Sequence, residues 1–281
     1  MDDSFATQIK VMFAGLNRQS ASDAFPRTGA LASLLSPRVD KSSEAIALSP
    51  KELTLFATAA VEMWLRALHS FLISTSLTEA SPIWASVSGY YASHYTIRGL
   101  AHLLGVFQLY KKRCILRLEA QGKYLICRIE KKGANDREHA FYWRYVSGHP
   151  SFAKDPFLYP NREDIPESDG SHRNKANYVD HIDRFPVFRP LSFTAMSDRI
   201  ERIAGMAFSD VPVPNADRFP DIDNVQIVAY HRIVKFRQCV DDVLGEDNRF
   251  WRVHRKPSWC PDVMKFNVTE PVYLALYGQR M

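Results

Sequence analysis

The chain has 281 residues, of which 46% are hydrophobic and 12% aromatic, and its formal net charge is +5 at pH 7. These values exclude an intrinsically disordered chain and indicate a folded protein with one large core or two modest ones. The mild basic excess is compatible with contact to nucleic acid or an acidic partner, and equally with an ordinary protein surface.

The four cysteines are widely spaced and include no CxxC pair; they are Cys114, Cys127, Cys239 and Cys260. This spacing argues against a zinc ribbon and against a disulfide scaffold. The N-terminus begins with two acidic residues and lacks the basic and apolar segments of a secretory signal. No uncharged apolar run approaches the ~20 residues that span a membrane. We therefore expect a cytoplasmic protein without a membrane segment.

The first part of the chain predicts one short helix and a connector. Residues 5–17 place Ile9, Met12, Phe13 and Leu16 on one side of an amphipathic helix. The composition of residues 17–49 then turns to Ser, Ala, Pro and Arg, which favours a loosely structured arm. We predict an N-terminal helix and arm over residues 1–48, followed by a helical domain over residues 49–281.

Two long helices open that domain. Ser49 and Glu52 flank Pro50 in the pattern of a capping box, which predicts a helix over residues 50–73. Ser81 and Pro82 repeat the cap and the proline, and we expect a second helix over residues 81–110. The short linker between the two predicts an antiparallel pair.

A β-hairpin is predicted over residues 113–130. Apolar residues alternate with polar ones on both strands, and a two-residue turn at Gln121-Gly122 places the apolar set on one face. That set is Cys114, Leu116, Leu118, Leu125, Cys127 and Ile129.

Further helices are predicted over residues 136–146, 171–185, 194–205 and 224–244, the last ending at Gly245. Proline-rich loops separate them, and the tail from residue 251 is irregular. The predicted fold class is mainly α, a helical bundle with one inserted β-hairpin.

The second long helix carries a polar stripe. At about 100° per residue one sector contains seven residues, while the other sides are apolar. The seven are Trp84, Ser88, Tyr91, His94, Tyr95, Arg98 and His102. Arg98 and His102 lie one turn apart, so that an Arg could bind phosphate while a His moves a proton, as in a metal-independent ribonuclease. The alternative is a buried polar network that only supports the fold.

A second polar group is predicted on one face of the helix at 171–185. Arg173, Asn177 and His181 follow at four-residue intervals, and Asn174 lies beside Arg173. If this face met the stripe, the two helices would form one site. The alternative is an exposed polar face on a surface helix.

Standard phosphate-loop, dinucleotide, serine-hydrolase and zinc-protease motifs do not occur. Asp221 and Asp223 precede a helix, where such residues usually act as caps. Asp180, His181 and Asp183 carry potential cation ligands, but we predict neither a metal site nor a cofactor.

The segment SGYYASHYTIRGLAHLLG at residues 88–105 resembles the helix core of HEPN-like proteins, and RNKANYVDH at residues 173–181 resembles their Arg-Asn…His segment. The family consists of small helical bundles found among prokaryotic toxins and antiviral effectors, many of them metal-independent ribonucleases. Its motif has an Arg, often a polar residue next, and a His that four to six residues separate from the Arg. Arg173-Asn174 matches the start of the motif, but seven residues separate Arg173 from His181, and three separate Arg98 from His102. Arg144 with His149 and Arg249 with His254 satisfy the spacing. About two such pairs are expected by chance in a chain with this many Arg and His residues.

The resemblance implies a ribonuclease or toxin-type effector of prokaryotic defence that cleaves RNA without a metal. Its catalytic residues would be Arg98, His102, Arg173, Asn174 and His181, and its substrate-binding residues Tyr91, His94, Tyr95 and Asn177. The alternative is a non-enzymatic helical subunit that binds nucleic acid or a partner protein in a defence complex. RNA, a cognate antitoxin, another defence protein or a second copy of the chain are the partners these hypotheses imply.

Overall fold

The computed structural model describes residues 2–14, 28–40, 44–109, 112–121, 124–131, 138–158, 193–206 and 222–245. Within them the chain is mainly helical, as predicted, with one small antiparallel sheet. The helices are α1 (Asp3–Phe13), α2 (Thr28–Val39), α3 (Pro50–Ser76), α4 (Pro82–Leu103), α5 (Glu138–Ser147), α6 (Phe193–Ala204) and α7 (Ile222–Leu244). The strands are β1 (Ala45–Ala47), β2 (Val106–Leu109), β3 (Cys114–Gln121) and β4 (Tyr124–Lys131). None of these helices combines the length and hydropathy needed to cross a membrane.

The predicted hairpin forms the centre of a four-stranded sheet with the strand order β1-β4-β3-β2. Gln121 pairs with Tyr124, so the two residues between the strands are Gly122 and Lys123 rather than Gln121 and Gly122. The predicted register was therefore wrong by two residues. A shift of two preserves the face of every side chain, and the predicted apolar residues still share one side of the sheet.

The prediction of a single helix over residues 81–110 was too long. Helix α4 ends at Leu103, and Gly105 adopts a φ of 73°, a left-handed conformation that glycine tolerates best. The chain then enters β2, where Phe107 is buried in the sheet. Periodicity alone does not reveal this stop, because the apolar pattern continues from the helix into the strand.

The prediction of a loose arm was wrong for the described part of residues 17–49. Residues 28–39 form α2, in which Leu31 and Leu35 are buried one turn apart, and β1 pairs with β4. The segment is rich in Ser and Pro, and for this reason its short apolar helical face was not recognised from the sequence. The helices predicted at residues 5–17, 50–73, 136–146, 194–205 and 224–244 are confirmed within their described parts. The helix predicted at 171–185 and the tail lie outside the described residues.

The contacts divide the chain into two compact units. Unit 1 comprises Met1–Trp64, Ile97–Ala153 and Cys239–His254, and unit 2 comprises Leu65–Thr96, Lys154–Gln238 and Arg255–Met281. In unit 1 the capping box at Ser49 and Glu52 starts α3 as predicted, with Ser49 N–H donating to Glu52 Oε2 at 2.7 Å. Gln8 of α1 donates to the Leu103 carbonyl at 2.6 Å, which satisfies one of the open carbonyls at the end of α4.

In unit 2 the end of α3 packs closely against the start of α4. Ser74 Oγ donates to the Ala85 carbonyl at 2.6 Å and accepts from Gln226 Nε2 of α7 at 2.9 Å. Gly89 permits this approach, because a Cβ there would lie 2.7 Å from a Val225 methyl carbon and 3.0 Å from Ser74 Oγ.

Candidate functional site

Helix α4 is enclosed on nearly all sides in unit 2. From Trp84 to Thr96 only four positions are not buried: Trp84, Ser88, Tyr91 and Tyr95. We call these four residues the outward stripe. Trp84 is 60% exposed, and the other three are partly exposed. The predicted stripe is therefore divided: Trp84 is exposed, Ser88, Tyr91, Tyr95 and Arg98 are partly exposed, and His94 and His102 are buried.

His94, predicted to bind substrate with Tyr91 and Tyr95, belongs to the buried side of α4. Its side chain is 8% exposed and stacks on Tyr90, with ring centroids 6.2 Å apart and planes at 7°. Tyr91 and Tyr95 lie one turn apart on the outward stripe, with centroids separated by 5.9 Å. The three predicted residues therefore lie close together, but only the two tyrosines face outward.

Ser93, on the buried side of α4, accepts a hydrogen bond from Arg232. The sequence pattern did not identify this contact. Arg232 of α7 is 4% exposed, and its guanidinium donates to Ser93 Oγ at 2.7 Å and to the Phe157 carbonyl at 2.8 Å. The buried guanidinium of Arg232 therefore has polar partners in two other segments of unit 2. No local signal in the sequence pairs Arg232 with Ser93, since 139 residues separate them.

The predicted pair Arg98 and His102 lies in unit 1. The guanidinium carbon of Arg98 lies 5.4 Å from the ring centroid of Tyr142 on α5, a cation–π geometry. His102 is fully buried, with its ring 4.9 Å from the ring of Phe107 and 5.8 Å from that of Tyr142. Tyr142, which the sequence did not single out, thus contacts both predicted catalytic side chains.

The environment of His102 keeps its imidazole neutral. Burial is the main reason that the pKa of His102 lies well below its usual value, and the nearby charge of Arg98 lowers the pKa further. The backbone of Ala59 raises the pKa, but this is the smallest of the three effects. Neither ring nitrogen meets the geometry of a hydrogen bond with the described residues. A neutral imidazole is the general-base form, yet a base with no exposed surface cannot reach a substrate in this conformation.

The second predicted group lies outside the described residues; it comprises Arg173, Asn174, Asn177 and His181. Its convergence with Arg98 and His102 therefore stays a prediction. Of the two pairs with the family spacing, Arg249 and His254 also lie outside the described residues. Arg144 is exposed, and His149 packs against Phe5 and Phe152 at centroid distances of 5.4 and 5.8 Å.

Metal ligands do not cluster in the part of the chain described: no group of three His, Cys, Asp or Glu side chains is close enough to hold an ion there. Cys114, Cys127 and Cys239 are buried free thiols, and burial raises the pKa of Cys127 to about 12. Such thiols are poor nucleophiles at neutral pH.

Comparison with known proteins gives no relative: no family model, curated protein or solved structure matches the chain significantly.

Proposed function

We propose that this protein is a non-enzymatic helical subunit that binds a partner protein through the outward stripe of α4. The observation that carries the proposal is the chemistry of the stripe, in which three of four positions are aromatic and one is Ser88. Aromatic residues are enriched and charged residues depleted at the centres of protein interfaces. The HEPN-like resemblance implies a defence complex as the setting.

The exposed residues of α3 differ in charge from those of the outward stripe. The exposed positions of α3 in unit 2 include Arg66 and His69, as expected for a helix side in water. From Pro82 to Thr96, by comparison, α4 contains no Asp, Glu, Lys or Arg. Surfaces that bind single-stranded nucleic acid combine aromatic residues with positive charge, so the uncharged stripe favours a protein over RNA.

The experiment compares partner capture by matched variants in cells of the native host. The bait proteins are wild type, the double variant Trp84→Ser/Tyr91→Ser, and the control Arg66→Ser/His69→Ser, which changes two exposed residues of α3. We expect one protein, identified by mass spectrometry, to be retained by wild type and the control and lost from the stripe variant. The purified pair should then co-elute only when the stripe is intact. Equal retention by the stripe variant would refute the proposal.

A metal-independent ribonuclease is the second candidate. The observation in its favour is that Arg98 lies one helical turn from a His102 that its surroundings hold in the base form. Activity would require a conformation in which His102 becomes accessible. The test incubates RNA with the protein in EDTA and compares wild type with His102→Ala and His181→Ala. Cleavage that both variants abolish would support the enzyme, and no cleavage by a correctly folded wild type would favour the binding subunit.

A further inference from the structure

His149 lies where the start of α1 meets the turn that follows α5. Its ring contacts those of Phe5 and Phe152 at centroid distances of 5.4 and 5.8 Å, and Phe5 meets Phe152 edge to face at 5.7 Å. The two phenylalanines are buried, whereas His149 is partly exposed, so its imidazole can exchange protons with the solvent. All three residues belong to unit 1.

The hydrogen bonds at this contact require a neutral imidazole. The N–H of Ser151 donates to Nδ1 of His149 at 3.2 Å, and Ser151 Oγ accepts from the N–H of Asp2 at 3.0 Å. A protonated imidazole carries a hydrogen on both ring nitrogens, so it cannot accept a hydrogen bond from Ser151. Protonation of His149 would therefore break the bond that orients Ser151, the residue that holds the N-cap of α1.

The surroundings of His149 favour its neutral form. Burial has the largest effect and lowers the pKa of His149; Asp2 at the N-cap of α1 raises this pKa, and Arg117 of β3 lowers it. When the contact opens, the ring returns to water, where the pKa of a histidine is about 6.5. The open state then binds more protons than the closed one, so the contact is stable above about pH 6.5 and loosens on acidification.

Helix α1 connects this contact to the end of α4. Gln8, one turn beyond Phe5, donates to the Leu103 carbonyl at 2.6 Å. The remaining apolar side of α1 is buried in unit 1 at Ile9, Met12 and Phe13. These side chains hold the helix in place, so a change at His149 acts on the first turns of α1 and on the Gln8 contact.

We infer that His149 makes the docking of α1 in unit 1 sensitive to pH: the neutral imidazole holds Ser151 and Phe5 in place, and its protonation loosens the first turns of the helix. This inference goes beyond the proposed function, because it concerns unit 1 and requires neither the outward stripe nor a partner. It describes a local opening whose population rises with acidity, and not the unfolding of the protein.

Hydrogen exchange of the α1 backbone amides in the full chain tests the inference. Rates at about pH 7.5 and about pH 5.5 are corrected for the intrinsic exchange rate and compared with the amides of α3, which report global unfolding. We expect the equilibrium constant for opening of α1 to rise on acidification by a factor between about 3 and about 10, the upper limit for one proton.

Two variants remove the titrating group in different ways. His149→Asn keeps an acceptor for the N–H two residues later, as in an Asx-turn, and His149→Phe keeps a ring against Phe5 without an acceptor. Both should open to the same extent at the two pH values, whatever their absolute stability. His69→Gln, which removes an exposed imidazole from α3, should respond like wild type.

Three results would overturn the inference. The first is an opening of α1 in wild type that does not change with pH. The second is a pH response that survives in both His149→Asn and His149→Phe. The third is an equal rise in the exchange of α1 and α3, which would assign the response to global unfolding.

Discussion

Replacement of His102 by leucine should change both the stability of the protein and its dependence on pH. The imidazole is fully buried and contacts the rings of Phe107 and Tyr142, and within the described residues Arg98 is the charged group that acts on its pKa. No carboxylate contributes to its surroundings in the described part of the chain. A protonated His102 would therefore be buried without a counter-charge, whereas a leucine side chain at this position would have a similar volume and no polar atoms.

The size of the pH effect follows from proton linkage. In the unfolded chain a histidine titrates near a pKa of about 6.5, and in the folded protein the pKa of His102 is well below that value. The unfolded state therefore binds more protons as the pH falls below about 6.5, so stability is complete above this value and is lost on acidification. One such group removes at most about 1.4 kcal/mol from the free energy of unfolding between about pH 7.5 and about pH 5.5, the limit reached when the folded protein binds no proton at this site.

Urea denaturation at these two pH values measures the effect. We expect wild type to lose more stability than His102→Leu on acidification, by up to about 1.4 kcal/mol. At the higher pH the variant should be about as stable as wild type or more stable by about 1 kcal/mol, because it removes buried nitrogens that lack good hydrogen bonds. His69→Gln, which removes an exposed imidazole from α3, is the control for the loss of one histidine. Parallel pH profiles for wild type and His102→Leu would refute the reasoning.

Three further substitutions test the packing. Gly89→Ala should lower the free energy of unfolding by about 1–3 kcal/mol, because the new Cβ would lie 2.7 Å from a Val225 methyl carbon; denaturation in urea measures the loss. Ser49→Ala removes the cap of α3 and should lower the same quantity by about 1 kcal/mol, visible as a lower Tm. Trp84→Ser should change stability by less than about 0.5 kcal/mol because Trp84 is 60% exposed, whereas the same change at Trp64, 2% exposed, should cost at least about 3 kcal/mol. A large loss from Trp84→Ser would show that the stripe supports the fold.

The sequence predicts those elements whose ends carry a local chemical signal. Ser49 and Glu52 form the predicted capping box, and Gly245, with a φ of 82°, ends α7 where expected. These signals act over one helical turn, so a single sequence contains them completely. The apolar face of the hairpin was predictable for a similar reason, because alternation of apolar and polar residues has the two-residue period of a strand and not the period of a helix.

Features that depend on distant partners could not be predicted. Gly105 ends α4 where a Cβ would lie 2.6 Å from Leu118 Cβ, and only the folded sheet brings Leu118 there. Tyr142 contacts Arg98 and His102, which lie about forty residues earlier in the chain. No local pattern in the sequence indicates that these residues meet. The candidate site is therefore predicted only in part: the residues that share a side of α4 were identified, but their environments were not.

The outward stripe shows what helical periodicity can decide and what it cannot. Periodicity groups Trp84, Ser88, Tyr91 and Tyr95 on one side of α4, but the same grouping describes a polar face inside a core and an exposed face in water. The structure resolves this ambiguity through the burial of the other nine residues between Trp84 and Thr96. Of these four residues Trp84 is 60% exposed, and Ser88, Tyr91 and Tyr95 are partly exposed. This uncharged side of α4 is the surface on which the proposed binding function depends.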